Sequence, residues 1–139
     1  MARFRTEGLD DLIERMAEME LTVSELADEM LIAGAEEVRE AWKKSAEKHE
    51  HRDTGDMINS IDYSRRVRKI GDIKEVDIYP QGKDKKGVRN AEKAFILHYG
   101  TSRIPASHWV DDADEMAGPM VEERLWTMYD EWLEKHGMI

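Results

Sequence analysis

The side chains of this sequence best suited to chemistry are its five histidines, at positions 49, 51, 98, 108 and 136. Two groupings have the residue types of a divalent-metal site: His49-Glu50-His51-Arg52-Asp53, and His108 with Asp111 and Asp112. A metal-dependent hydrolase or nuclease would use such a group to activate water. That chemistry needs about three or four converging ligands held in orientation by their neighbours. The first group falls at the end of a helix, and the second offers its carboxylates among many others. Ser107-His108 with Asp111 has the types of a nucleophilic triad, but no G-x-S-x-G elbow accompanies it. Paired acids at Asp10-Asp11, Glu36-Glu37, Asp111-Asp112 and Glu122-Glu123 read as hydrated helix faces. Gly82, Gly87 and Gly100 have no phosphate-loop or dinucleotide spacing. The chain has no cysteine, which removes disulfides, thiolate zinc sites and thiol nucleophiles together. The residues therefore predict no catalytic, cofactor-binding or metal-binding set and no enzymatic activity. The alternative is the small hydrolase or nuclease built on His98, His108 and Asp111 or Asp112.

Charge points instead to contacts between macromolecules. The net charge of -10 argues against a protein that coats nucleic-acid phosphate. The charge is graded: residues 1–60 carry 8 Lys or Arg against 16 Asp or Glu, residues 61–93 carry 10 against 6, and residues 94–139 carry 3 against 9. Acidic ends and a basic middle suit head-to-tail contact between copies, a basic arm of one meeting an acidic face of the next.

The elements that must position these residues follow from periodicity. Leu9, Leu12, Ile13, Met16 and Met19 line one face of a first short helix. Thr22-Val23-Ser24-Glu25 has the form of a capping box, predicting a second, long helix over residues 22–50 with Ala33, Gly34 and Ala35 allowing close approach of another element. Asp53-Thr54-Gly55-Asp56 reads as a turn, followed by one helical turn over Met57, Ile58 and Ile61. Alternation over Ile61, Tyr63, Arg65 and Val67, and again over residues 75–79 before Pro80, predicts a hairpin with Gly71-Asp72 at its turn. Residues 81–90 read as a mobile basic loop leading to a short helix that ends near Gly100. A last helix is predicted from Ala106 or Ser107 through Leu133, kinked or split in two at Gly118-Pro119. The fold class is α+β: a small, mostly antiparallel sheet packed against the long helix and the kinked C-terminal helix, in a single domain over residues 1–139. The longest apolar runs, such as Phe95-Ile96-Leu97, are far short of a membrane span, and the start of the chain has no signal-peptide segment, so synthesis in a cytoplasm is predicted.

Two short motifs stand out in this order. Asp53-Thr54-Gly55-Asp56 is followed by Ser60-Ile61, and Tyr99-Gly100-Thr101 by Pro105-Ala106 and the aromatic-led helix at Trp109. Together with the long helix before them and the strand pair between them, over roughly residues 8–135, these resemble the head-tail joining, or tail-completion, neck proteins of long-tailed bacteriophages. The chain departs from that pattern at Leu97-His98 before Tyr99-Gly100-Thr101, and in having His108 where the family has a second proline.

The resemblance implies a structural virion protein, made in the bacterial host cytoplasm and placed at the head-tail junction. It implies a homo-oligomeric ring, a hexamer, that completes the tail and meets the head connector or adaptor on one side and the tail tube or tail terminator on the other. Genomic DNA would pass through the lumen without specific binding, and acidic helix faces there would keep phosphate from adhering. No membrane is involved. Residues 81–90 would serve as a docking arm toward a neighbouring subunit or ring.

Overall fold

This computed structural model describes residues 6–137, the side chains of residues 6–13 and of Met16 excepted. One helix, α1, runs unbroken over Thr6–Lys48. The two helices predicted up to residue 50 are therefore one, about 64 Å long at 1.5 Å per residue. Thr22 does not cap a new helix; its hydroxyl donates back to the Glu18 carbonyl at 2.8 Å, the bond a threonine makes in a helix interior. No proline or glycine lies between Gly8 and Gly34 to break the ladder. The stripe expected from Leu9, Leu12, Ile13 and Met16 lies outside the described side chains, and Met19 is exposed.

After α1, residues 53–56 turn the chain into α2 (Asp56–Ser60), and four short strands follow: β1 (Ile61–Tyr63), β2 (Arg68–Ile70), β3 (Ile73–Glu75) and β4 (Ile78–Pro80). β1 pairs antiparallel with β4, and β2 with β3. The predicted hairpin is present but interrupted. Ile61 opposes Pro80 and Tyr63 opposes Ile78, whereas Arg68 opposes Glu75, so residues 64–67 of the first arm face only 76 and 77 of the second. This is a two-residue bulge, stabilised by the Ser64 amide donating to the Asp77 carbonyl and the Asp77 amide donating to the Ser64 hydroxyl. The tip turns at Gly71-Asp72, where Gly71 has φ +61 while Asp72 does not join the positive-φ residues. Glycine at the first central position is the requirement of a type II′ turn.

The hairpin lies along α1. Asp62 accepts from Arg39, the Tyr63 hydroxyl donates to Glu36, and at the other end Lys74 Nζ donates to the Ser24 carbonyl, the Ser24 hydroxyl and Asp28. Asp62 is held below the usual carboxylate range: burial alone would raise it, and the Tyr63 amide together with Arg39 and Arg65 outweighs that.

Residues 81–89 close on Asp84, whose carboxylate accepts from the Lys86 and Val88 amides and pairs with Lys93. Helix α3 (Asn90–Tyr99) follows, then α4 (Trp109–Lys135). α4 passes through Gly118-Pro119 as one helix rather than two, with only the bond from residue 119 to the Glu115 carbonyl missing. It packs against α1, where the small, buried Ala33, Ala35 and Ala41 permit close approach and Gly34 faces Val121.

The core sits where the end of α1, α2, β1, α3 and the start of α4 meet. Ala46, Met57, Ile58, Ile61, Ala94 and Trp109 form it, with Trp42, Ile78, Leu97 and Val110 packed around. The architecture is α+β. Among the described residues no helix is long and apolar enough to cross a membrane.

Candidate functional site

The first motif borders a cleft whose other wall is α3 and the turn that follows the second motif. This cleft, of about 440 Å³, is lined on one side by Glu50 to Met57, which includes Asp53-Thr54-Gly55-Asp56, and on the other by Lys93, Ile96, Leu97 and Ile104. Each wall has a local cause. Gly55 takes φ +87 at the start of α2, and its carbonyl accepts from the Asn59 amide, while the Thr54 hydroxyl accepts from the Asp56 amide. Gly100 takes φ +77 after α3, and a Cβ there would meet the Ala106 nitrogen at 2.6 Å and the Ile104 carbonyl oxygen at 2.7 Å. Only glycine fits both the dihedral and the space. Thr101 then folds the next turn: its hydroxyl accepts from the Arg103 and Ile104 amides, and its own amide donates to the Ile104 carbonyl. The chain returns along α3, with the Ser107 and His108 amides donating to the Leu97 and His98 carbonyls.

The histidines divide differently from their order in sequence. His49 Nε2 lies 2.6 Å from Asp112, so the two predicted metal groupings exchange members. His51 Nε2 meets Ser107 Oγ at 2.8 Å, and Ser107 donates its own proton to the Leu97 carbonyl at 2.6 Å. The serine so placed accepts from His51 and braces the fold, and its histidine neighbour is His51 rather than His108. Burial, and then the neighbouring His49, push the His51 ring below the ordinary histidine range.

His98, His108 and Asp111 are the one group of three metal-capable side chains that converges among the described residues, their ligand atoms all within 4.8 Å of one another. His98 is buried, and its Nδ1 accepts from the Val110 amide at 3.3 Å. That bond assigns the proton of the neutral ring to Nε2, which faces Asp111 at 3.9 Å. Nε2 therefore presents N–H where a metal needs a lone pair. Asp111 and His108 are both largely exposed, with no second layer to orient them. The arrangement is suited to a weak ionic contact at the surface.

What the surface offers instead is apolar area. Phe95 and Tyr99 stand 64% and 59% exposed on α3, their rings 4.7 Å apart. On α4, Trp126 is 59% exposed and packs edge-on against Tyr129. Every described side chain of α1 from Glu14 to Leu21 is exposed.

A family model described as Bacteriophage HK97-gp10, putative tail-component, matches residues 10–112. The chain belongs to the HK97-gp10-like family. No curated protein and no solved structure matches it. The matched stretch takes in nearly all of α1, both strand pairs, both walls of the cleft and the first turn of α4. This HK97-gp10-like chain is thus a structural phage protein, a tail component, as the resemblance implied.

Several of its informative residues were not visible as such in the sequence. Trp109 is fully buried, at 0% exposure, whereas Tyr99, which the motif also contains, follows Phe95 by four residues on the outer face of α3. Trp126 lies off the apolar stripe of α4, and that displacement was its signal. Arg124 joins the two long helices by donating to the Ala33 carbonyl, Glu36 and Glu37, and its hydrogen bond is the main reason the Glu36 carboxyl is held below its usual range. No spacing rule links residues so far apart.

Proposed function

We propose that this tail component is the subunit of a homo-oligomeric ring, a hexamer, at the head-tail junction of a tailed phage. The ring completes the tail, meets the head connector or adaptor on one face and the tail tube or tail terminator on the other, and leaves a lumen through which the genome passes. The 139 residues act as one domain, without catalysis, cofactor or metal, and the basic loop at 81–90 reaches toward a neighbouring subunit or ring.

The observation that carries this reading is the aromatic and apolar area left uncovered on α3 and α4. An interface between stably associated proteins covers about 800 Å² on each partner, and a ring subunit has two such contacts. Exposed Phe95, Tyr99 and Trp126 are the residue types that anchor protein interfaces. Mixing the purified protein with tails and DNA-filled heads from a phage lacking it tests the role. Infectious particles that carry the protein in fixed stoichiometry are the expected result, and unjoined heads and tails would end the proposal.

A further inference from the structure

The ring reading leaves open which surface of one copy meets which surface of the next, and the inference that follows rests on that reading. We propose that the aromatic pair Phe95 and Tyr99 on α3 of one copy seats in the apolar groove between α1 and α4 of the adjacent copy, guided by opposite charge.

The groove is about 390 Å³ in volume and is lined by Met30 of α1 and by Glu122, Leu125, Trp126 and Tyr129 of α4. A second apolar groove beside it shares Met30 and Leu125, so the apolar face continues toward Val76 and Ile78 of the hairpin. Nothing among the described residues fills it. The aromatic pair is largely open to solvent: α3 buries Asn90, Ala94 and His98, and presents Phe95 and Tyr99 beside that stripe, 64% and 59% exposed, with the Tyr99 ring edge-on to His98.

Charge selects the occupant. From residue 81 through Ile104, the segment that contains the aromatic pair has six Lys or Arg against two acids. From Met120 to Lys135, the groove-bearing half of α4 has five acids against two Lys or Arg, one of which, Arg124, is already bound to Glu36 and Glu37. Glu122 stands in the groove itself. A basic surface with an aromatic knob and an acidic surface with an apolar groove are complementary on two counts, and both belong to the same chain.

Geometry then dictates the type of assembly. α3 packs near the start of α4, where Trp109 donates to the Ala94 carbonyl, and the groove lies around Trp126. Seventeen helical residues separate these points, about 25 Å. The knob cannot reach the groove of its own copy, and a contact between two different surfaces is heterologous, which closes into a ring when the rotation allows.

The chain has no cysteine, so introduced ones report without background. Glu92→Cys, one turn before Phe95 on α3, and Asp130→Cys, one turn after Trp126 on α4, are made singly and together, leaving both aromatic anchors in place, and treated with a short bis-maleimide both as free protein and in assembled tails. The proposal predicts one-to-one dimers from the mixed single variants, none from either alone, and a ladder up to the full ring from the double variant. The variant F95Q/Y99Q should lower the ring fraction at fixed concentration about tenfold or more, with unchanged circular dichroism and melting. Equal cross-linking by one single variant alone, or multimers by native mass spectrometry with no link between 92 and 130, overturns the proposal and leaves the ring standing. Monomer throughout, in solution and on tails, removes both.

Discussion

Ser45 donates a 2.5 Å hydrogen bond to the Trp109 carbonyl, 64 positions away, at a point where both residues are fully buried. It fixes the first turn of α4 against the end of α1. On the other side the Trp109 indole donates to the Ala94 carbonyl and its ring meets Trp42 edge-on at 5.6 Å. One side chain thus holds α1, α3 and α4 together, and these three carry the aromatic pair and the groove proposed to meet between copies. Trp109→Ala should destabilise the protein by about 3–5 kcal/mol, read as a lowered denaturation midpoint. Ser45→Ala, which removes one buried hydrogen bond while the Trp109 carbonyl keeps its bond within α4, should cost about 1 kcal/mol.

Gly100 and Gly71 make a matched pair for testing the Tyr99-Gly100-Thr101 motif. Both have positive φ, but a Cβ at Gly71 meets nothing within 4 Å, whereas one at Gly100 runs into the backbone of Ile104 and Ala106. Gly71→Ala should cost only the dihedral, about 1 kcal/mol. Gly100→Ala adds a clash that no side-chain rotation relieves and should cost about 2 kcal/mol or more. Equal effects in urea denaturation would remove the steric explanation of the motif.

These comparisons show why some of the fold was legible in the sequence and some was not. Gly55, Gly100 and Pro105 act locally, through dihedrals and missing donors, so the corners they make can be read from residue type. The period of α1 was also legible, but its continuity was not, because Thr22-Val23-Ser24-Glu25 can cap a helix or sit within one, and the Thr22 bond to Glu18 decides only once the chain is helical on both sides. The bulge at 64–67 is set by pairing with β3 and β4 and has no signature in its own residues. For the histidines, residue type was visible and partnership was not: His49 finds Asp112 and His51 finds Ser107 across more than fifty positions.

His51 gives the fold a pH dependence of definite sign. Its folded-state pKa is lowered from 6.5 by burial and by His49, so as pH falls the unfolded chain takes up this proton before the folded one does. Stability from this group is full above the ordinary histidine range and is lost as the pH drops through and below it. Thermal melts from roughly pH 7.5 to 5 should show a steeper loss for the wild type than for His51→Gln, which keeps a donor toward Ser107. Parallel curves for the two proteins would contradict this assignment.

At His98, His108 and Asp111 the hydrogen bond from the Val110 amide to His98 Nδ1 places N–H rather than a lone pair toward the other two groups. Chelator treatment should therefore leave the melting temperature unchanged, and added zinc or manganese should raise it by less than about 1 °C, since a ligand that binds the folded state raises stability in proportion to its occupancy. A metal retained through purification, with a melting temperature that falls on chelation, would bring the hydrolase or nuclease reading forward.

The most direct test of the account is native mass spectrometry of the purified protein across a concentration series, repeated on protein released gently from assembled tails. A closed ring of a single copy number, hexameric, with no intermediate species dominating at high concentration, is the predicted result. A monomer at every concentration and in the released material would contradict it, because the exposed Phe95, Tyr99 and Trp126 would then have no second copy to meet.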